Sequence, residues 1–154
     1  MATDLKMKEN RYYLKLNAIN NLENNKEIVK RFNKEVIEKG NYDAFLELID
    51  KDFINRTAPP NANGANGMWN TFATILRPAF PDLKVHIYDQ VAENDKVVTR
   101  KAITGTHTGK LLGIEPTGQE IKIDVIDIVH LKNGKYFEHW GINTLQTVLS
   151  TLQK

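Results

Sequence analysis

Residues 80–112 read FPDLKVHIYDQVAENDKVVTRKAITGTHTGKLL and contain the change of hydrophobic period that decides the fold. Upstream of Pro81, apolar residues recur at spacings of three and four, whereas downstream Leu83, Val85 and Ile87 occupy every second position. The first spacing predicts amphipathic helices and the second predicts strands. The sequence therefore predicts helices followed by a long antiparallel sheet, which is an α+β fold.

Upstream of this change the sequence predicts three helices. The first is expected to begin at Asn24 or Asn25 and to end at Gly40, which can adopt the left-handed backbone conformation. Asn41 is then expected to cap a second helix. A third helix is expected from about residue 66 until Pro78 interrupts it. Residues 1–22 are interpreted as an N-terminal extension and residues 23–154 as a single domain.

Downstream, the run 121–131 is long and strongly apolar, is interrupted by Asp124 and Asp127, and carries apolar side chains on both faces of a predicted strand. A strand of this kind must have both faces covered, and we expect helices on one and a second copy of the chain on the other. Asn133-Gly134 predicts a tight hairpin, and the apolar spacing of residues 145–152 predicts a closing helix.

Composition excludes several classes of function. The net charge of the 154 residues is +2 and the Lys and Arg residues are scattered, which argues against nucleic-acid binding. The chain has no cysteine, so thiol nucleophiles and thiolate metal sites are excluded. No apolar run approaches the roughly 20 residues of a membrane span, and no secretory signal is recognisable at Met1. We therefore expect a cytoplasmic protein with no membrane association.

Three residues are candidates for catalysis. His107 lies between small residues in the stretch GTHTG (105–109), where its ring would have room to point into a cavity. Asp124 lies in an aliphatic run, and a carboxyl group in such surroundings suits acid–base chemistry near neutral pH. Glu138 is the third candidate, on a strand face that it shares with Trp140.

Each candidate also has a structural interpretation. Asp124 could pair with Arg100 on a neighbouring strand, and His107 could be a hydrogen-bonded turn residue. Asp127 alternates to the opposite face from Asp124, and we interpret it as structural. We expect His86 to be exposed, and His130, beside the hairpin, to be exposed as well. Trp140 is expected either to pack in the core or to stack on a flat ligand, and His139 is expected at a rim or interface.

No pair of histidines has the spacing of a zinc site, so we expect no metal. The stretch NGANG (63–67) does not follow a strand and lacks the Lys-Ser/Thr pair of a phosphate loop, so we expect no nucleotide either.

Short motifs spread from about residue 24 to the C-terminus suggest a family. They are Asn41-Tyr42-Asp43, Asp52-Phe53-Ile54-Asn55, Phe80-Pro81-Asp82-Leu83, Asp95 with Val97-Val98-Thr99-Arg100, the stretch 105–109, Pro116-Thr117-Gly118, and Asn133-Gly134-Lys135 with Glu138-His139-Trp140. In this order the chain resembles the SnoaL-like polyketide cyclase (ester cyclase) family of the NTF2-like superfamily.

The resemblance implies a cone-shaped α+β barrel in which a curved antiparallel sheet wraps a long helix and an apolar pocket, usually as a dimer through the sheet. It also implies ring closure by an intramolecular aldol step without metal or cofactor. The candidate pocket residues are Asn55, Phe80, Arg100, His130, Trp140 and Thr144. The family often has aspartate four residues after the tryptophan, where this chain has Thr144, preceded by Asn143.

Three functions remain open at this point. The leading one is a cofactor-independent cyclase or isomerase that acts on a small apolar carbonyl compound by acid–base proton transfer. The second is a protein that binds such a ligand without turnover, which the threonine at position 144 favours. The third is a dimeric interaction module. The residues that line the pocket distinguish the three.

Overall fold

The computed structural model describes residues 1–154, apart from the surroundings of the Ala2 side chain. The helices are α1 (Ala2–Arg31), α2 (Tyr42–Leu48), α3 (Ala65–Asn70), α4 (Arg77–Ala79) and α5 (Leu145–Leu152). The strands are β1 (Ile49–Asn55), β2 (Lys84–Glu93), β3 (Lys96–Thr106), β4 (Glu120–Lys132) and β5 (Lys135–Asn143). Two π-helical segments, Phe32–Glu38 and Thr71–Leu76, continue α1 and α3.

The first helix is longer than predicted. The expected start at Asn24 or Asn25 is wrong, because both asparagines lie inside α1. Ion pairs one turn apart support the added length, such as Asp4 with Lys8 at 3.2 Å. The side chains of residues 3–21 are exposed, and the role of the N-terminal extension stays a prediction.

The predicted helix boundaries around residue 40 are confirmed. Gly40 has a φ of 70°, the left-handed conformation that ends the preceding helical segment. Asn41 caps α2, since its Oδ1 accepts a 3.0 Å hydrogen bond from the Ala44 N–H. Pro78 lies in the last helical turn, because α4 directly continues the preceding π-helical segment, and the helix ends one residue later at Ala79, close to the predicted stop.

The sheet has the order β1-β5-β4-β3-β2. The pairs among β2, β3, β4 and β5 are antiparallel, as predicted, whereas β1 adds to β5 in parallel. The hairpin at Asn133-Gly134 is confirmed, with φ values of 50° and 73° that match a type I′ turn.

The two faces of β4 differ in what covers them. Ile123, Asp127 and Val129 are buried on the face that carries the helices and the core, whereas Ile126 is 53% exposed on the other face. The predicted alternation of Asp124 and Asp127 is therefore confirmed, and Asp127 is the one that faces inward. We call these the inner and the outer face of the sheet.

None of the helices in the described part of the chain is long and apolar enough to cross a membrane.

Candidate functional site

A cavity of about 290 Å³ lies between the inner face of the sheet and the helices. Its walls are mainly apolar, and both π-helical segments contribute to them, Phe32 and Ile37 from one and Phe72 and Leu76 from the other. π-helical turns occur frequently at functional sites. The polar or ionisable residues of the lining are Asn55, Thr57, Thr71, Lys101, Asp127, Tyr136, His139 and Asn143.

The exposure of the lining residues shows which end of the cavity is open. Thr57, Thr71 and Asn143 are exposed and mark the mouth. Lys101 and Tyr136 are buried, with 4% and 3% exposure, and mark the floor. A ligand that enters by the mouth therefore meets ionisable groups only in the interior.

The floor contains a buried ion pair. Lys101 Nζ lies 2.8 Å from Asp127 Oδ2, and both side chains are 5% exposed. Lys101 also donates a 2.7 Å hydrogen bond to Oδ1 of buried Asn33. Burial alone would raise the pKa of Asp127, but the charge of Lys101 and the contact with His139 outweigh it and lower this pKa to about 2. Asp127 is thus a carboxylate throughout the physiological range.

His139 lies between the ion pair and the cavity mouth. Its Nε2 is 3.5 Å from Asp127 Oδ2, and its Nδ1 is 3.2 Å from Asn55 Oδ1. The same Asn55 oxygen accepts hydrogen bonds from the Thr57 N–H at 3.1 Å and the Thr57 hydroxyl at 2.9 Å. Because this oxygen is an acceptor, His139 Nδ1 must be the donor, which leaves Nε2 as the atom that can gain or lose a proton.

The backbone around His139 is held on both sides. Its carbonyl accepts a 2.8 Å hydrogen bond from the Arg56 N–H, and the Gly141 N–H donates to the Thr57 hydroxyl at 3.2 Å. The loop after β1 is therefore fastened to β5 where the imidazole projects. The Asn55 oxygen holds the imidazole in one tautomer, and Asp127 can accept a hydrogen bond from Nε2 once Nε2 has taken up a proton, which is an arrangement suited to proton transfer.

The structure places His107 outside the cavity lining. His107 is fully buried, with its ring 5.8 Å from that of Phe80. The Thr117 N–H donates to His107 Nδ1 at 3.3 Å, so the ring proton must be on Nε2. That Nε2 is buried and has no hydrogen-bond partner among the described residues. The expected projection into a cavity is therefore not observed for His107 or for Phe80.

The glycines around His107 serve a different purpose from the one predicted. A Cβ on Gly109 would lie 1.9 Å from the Pro78 carbonyl oxygen, and one on Gly105 would lie 2.8 Å from Phe80 Cβ. Asp82 also accepts two 2.7 Å hydrogen bonds from Thr106. The two motifs that contain these residues thus pack against each other, and the glycines permit this approach rather than giving the imidazole room.

Asp124 and Glu138 lie on the outer face of the sheet. Asp124 is exposed and pairs with Lys122 at 3.0 Å, whereas Arg100 pairs with Asp89 at 2.7 Å. Asp124 has the apolar neighbours Ala102 and Ile126, but the expected burial is absent, since its carboxylate is exposed and pairs with Lys122. Glu138 is held by Arg56 at 2.9 Å, and its pKa is lowered chiefly by that hydrogen bond.

The other predicted pocket residues also lie outside the cavity lining, except Asn55. His130 contacts Glu138 at 3.4 Å on the outer face, and Trp140 lies 5.8 Å from the Lys96 ammonium. Thr144 precedes α5, and its hydroxyl accepts a 2.9 Å hydrogen bond from the Asp124 N–H. Asn55 lines the cavity as predicted.

Sequence reasoning missed Lys101, Tyr136 and the importance of His139. Strand alternation contains the signal that could have found Lys101, since Thr99, Lys101 and Ile103 share the inner face of β3. A lysine on an apolar face requires a buried partner, and Asp127 is the acid on the inner face of the neighbouring strand. His139 was placed correctly on the face opposite Trp140, but that face is the cavity and not a rim.

In the described residues there is no group of three or more His, Cys, Asp or Glu side chains that could hold a metal ion. The cavity lining itself supplies an imidazole, a carboxylate, an ammonium group, a phenol and amide groups.

A curved five-stranded sheet with helices on its inner face and a cavity between them defines the NTF2-like class of α+β proteins. Within this class, the family model of the SnoaL-like polyketide cyclases matches residues 27–152. The chain belongs to the SnoaL-like polyketide cyclase family, and the resemblance noted from the motifs is confirmed.

Solved structures support the fold. A proposed polyketide cyclase from Acidithiobacillus ferrooxidans is 28% identical with a TM-score of 0.73, and the match covers 84% of this chain and 94% of that one. A proposed SnoaL-like polyketide cyclase from Jannaschia sp. is 25% identical, with a TM-score of 0.72 and coverages of 84% and 92%.

AclR of Streptomyces galilaeus, a proposed hydroxylase, is 22% identical with a TM-score of 0.75, and the match covers 86% of this chain and 82% of that one. A shared fold does not by itself fix the reaction. Among curated proteins, none matches the chain.

Proposed function

We propose that this protein is a cofactor-independent cyclase or isomerase in which His139 moves a proton on a small apolar carbonyl compound. The observation that carries the proposal is the cavity that brings His139 beside the Asp127 carboxylate, with Nε2 as the exchangeable position. The residues differ from those predicted, but the class of chemistry is the same.

The roles follow from the electrostatics. A carboxylate whose pKa is about 2 is too weak a base to remove a carbon-bound proton near neutral pH, so the base is His139, and Asp127 accepts a hydrogen bond from Nε2 once that atom has taken the proton. Lys101 keeps Asp127 ionised. His139 takes the proton from the carbon next to the carbonyl and returns it to another position, or leaves an enolate that attacks a second carbonyl group.

Deuterium exchange tests this proposal without knowledge of the natural substrate. The flat, apolar ketone 2-tetralone is incubated with the protein in D₂O, and loss of its α-protons is followed by NMR. We expect exchange faster than in buffer, and a decrease of about 10²-fold or more in the His139→Ala variant. The matched control is His130→Ala, because His130 is on the outer face. An unchanged rate in His139→Ala would overturn the proposal.

A binding protein without turnover is the second candidate. It is favoured by Thr144, which takes the position where the family often has aspartate and whose hydroxyl is engaged with the Asp124 backbone. If 2-tetralone causes chemical-shift changes at cavity residues while its α-protons exchange no faster than in buffer, this second function replaces the first.

We also propose that the outer face of the sheet binds a second copy of the chain. Ile126 and Ile142 are paired in the sheet and are 53% and 80% exposed, and Val98 on β3 is 36% exposed. The charged residues around them already pair within the chain, including Arg100 with Asp89 and Lys122 with Asp124. An apolar stripe whose rim has balanced charge fits a copy of itself better than a strongly charged partner.

Native mass spectrometry at micromolar concentration tests the dimer. We expect a dimer for the wild type and a monomer for Ile142→Lys. Leu46→Lys is the control, because Leu46 is 52% exposed on α2, away from the sheet face. A wild-type monomer would contradict the proposal.

A further inference from the structure

The hydroxyl group of Tyr136 is a hydrogen-bond donor at the cavity floor that has no role in the proton transfer proposed for His139. Tyr136 lines the cavity, is only 3% exposed, and its hydroxyl makes no hydrogen bond to any group in the described part of the chain. Buried tyrosine hydroxyls normally have a partner, because an unpaired one costs free energy. Because Tyr136 lines the cavity, its hydroxyl is available to donate a hydrogen bond to a molecule that enters there.

The Tyr136 ring is held firmly. It stacks on Phe32 with ring centroids 4.0 Å apart and an angle of 14° between the planes. Its backbone lies between β1 and β4, opposite Ile49 and Leu131. A hydroxyl on a ring that cannot swing away is preorganised, so no reorganisation is needed when charge develops on a ligand oxygen.

The Tyr136 hydroxyl also keeps its proton. Burial raises its pKa well above the usual value, and the negative charge of Asp127 raises it further. Tyr136 is therefore a hydrogen-bond donor and not a phenolate base at any pH at which the protein works. The hydroxyl can therefore donate to a carbonyl oxygen, which can only accept.

We propose that Tyr136 donates a hydrogen bond to the carbonyl oxygen of the ligand and thereby selects planar carbonyl compounds that enter oxygen first. This inference rests on the proposed function, because it supplies the partner for the step at His139. When Nε2 of His139 takes the proton from the α-carbon, the C–H electron pair forms the C=C bond and the carbonyl π electrons move to oxygen. Tyr136 stabilises that oxyanion without transferring its own proton.

The test uses Tyr136→Phe, which removes one oxygen atom and keeps the stacked ring. Binding of 6-fluoro-2-naphthol, whose oxygen imitates that of an enol, is measured by ¹⁹F NMR, with 2-fluoronaphthalene as the probe that lacks the oxygen. We expect the naphthol to bind about 10-fold more weakly to Tyr136→Phe than to the wild type, as for the loss of a hydrogen bond worth about 1.4 kcal/mol. We expect equal binding of 2-fluoronaphthalene to both proteins.

Tyr88→Phe is the matched control, since Tyr88 is 47% exposed on β2 and should leave both affinities unchanged. Equal naphthol affinity in wild type and Tyr136→Phe would overturn the inference. So would a wild type that binds neither probe, because the cavity would then not accept a planar aromatic compound.

The exchange assay separates failure of this inference from failure of the proposed function. If 2-tetralone exchange depends on His139 but is the same in Tyr136→Phe, the role of Tyr136 is wrong and the function stands. If Tyr136→Phe weakens naphthol binding while the wild type shows no exchange, Tyr136 binds the ligand oxygen in a protein that is not a catalyst. If both are right, Tyr136→Phe lowers the exchange rate by about 10²-fold.

Discussion

His107 and His139 are both buried or nearly so, and both make hydrogen bonds through Nδ1, but their surroundings differ in kind. His107 lies in a closed pocket between Phe80 and Thr117, with no charged group bonded to its ring. His139 has a carboxylate on one side, an amide on the other and a cavity in front. The first histidine can only fill space and fasten a loop, whereas the second can exchange a proton with a ligand.

The difference shows that flanking residues alone do not indicate whether a histidine is functional. Glycines beside His107 suggested freedom of movement, but they are required because Pro78 and Phe80 approach so closely. The sequence neighbours of His139, Glu138 and Trp140, were the candidates instead, whereas the partners that make His139 a site residue come from β1 and β4. The decisive property is which face of the sheet a side chain occupies and what lies across from it.

The largest expected effect concerns the ion pair beneath His139. Lys101→Met removes the cation and leaves the Asp127 carboxylate buried, so we expect a loss of about 3–5 kcal/mol in the free energy of unfolding. Urea denaturation measures it.

The double variant Lys101→Met/Asp127→Leu is the matched control. Because it removes both charges, it should recover most of the stability lost in the single variant. A single variant as stable as the wild type would mean that water reaches the floor of the cavity and that the pair does not fix Asp127.

The second prediction compares the two histidines directly. His107→Ala leaves a void in a closed site and should lower the free energy of unfolding by about 2–4 kcal/mol, as for other large-to-small changes in a core. His139→Ala opens onto the cavity and should cost only about 1 kcal/mol, because Asp127 keeps Lys101. Urea titrations of the two variants measure both losses, and equal losses would mean that the two histidines do not differ in how tightly they are enclosed.

The third prediction is a dependence of stability on pH. The folded-state pKa of Asp127 is about 2, below its ordinary value, so its contribution is present above about pH 4 and is lost as pH falls from about 4 to about 2. We expect protonation of Asp127 alone to lower the free energy of unfolding by about 2 kcal/mol.

Urea unfolding of the wild type and of Lys101→Met/Asp127→Leu is measured at pH 5, 4 and 3. The comparison isolates the contribution of Asp127, since other carboxyl groups with a lowered pKa, such as Glu38 and Asp82, are common to both proteins. The double variant should lose less stability on acidification. An equal loss of stability in the two proteins between pH 5 and pH 3 would show that the pKa of Asp127 is not lowered in the folded protein.

Much of the fold was predictable from the sequence because it depends on local patterns. The change of period at Pro81, the Asn41 cap, the Asn133-Gly134 turn and the alternation along β4 each act over a few residues, and the structure shows all of them. The parallel pairing of β1 with β5 was not predictable in this way, because no local pattern specifies a partner strand so distant in sequence.

The site was less predictable because it is assembled from different strands. Alternation correctly separated Asp124 from Asp127 but could not say which face would meet the helices, since both faces of β4 carry aliphatic residues, such as Ile126 on one and Val129 on the other. Asn55 was found because a family motif included it. Lys101 was not, because its meaning depends on Asn33 and Asp127, which approach it only in the folded chain.

The smallest expected effect is at Asp124. If the outer face does not contribute to the cavity, Asp124→Asn should change the free energy of unfolding by no more than about 0.5 kcal/mol, because its pair with Lys122 is exposed to solvent. The 2-tetralone exchange rate should also stay at the wild-type value. Asp124 and Asp127 are the same residue type three positions apart on one strand, so the contrast tests the assignment of faces with little else changed. A loss of exchange in Asp124→Asn would place the reacting group on the outer face and return the site to the residues that the sequence first suggested.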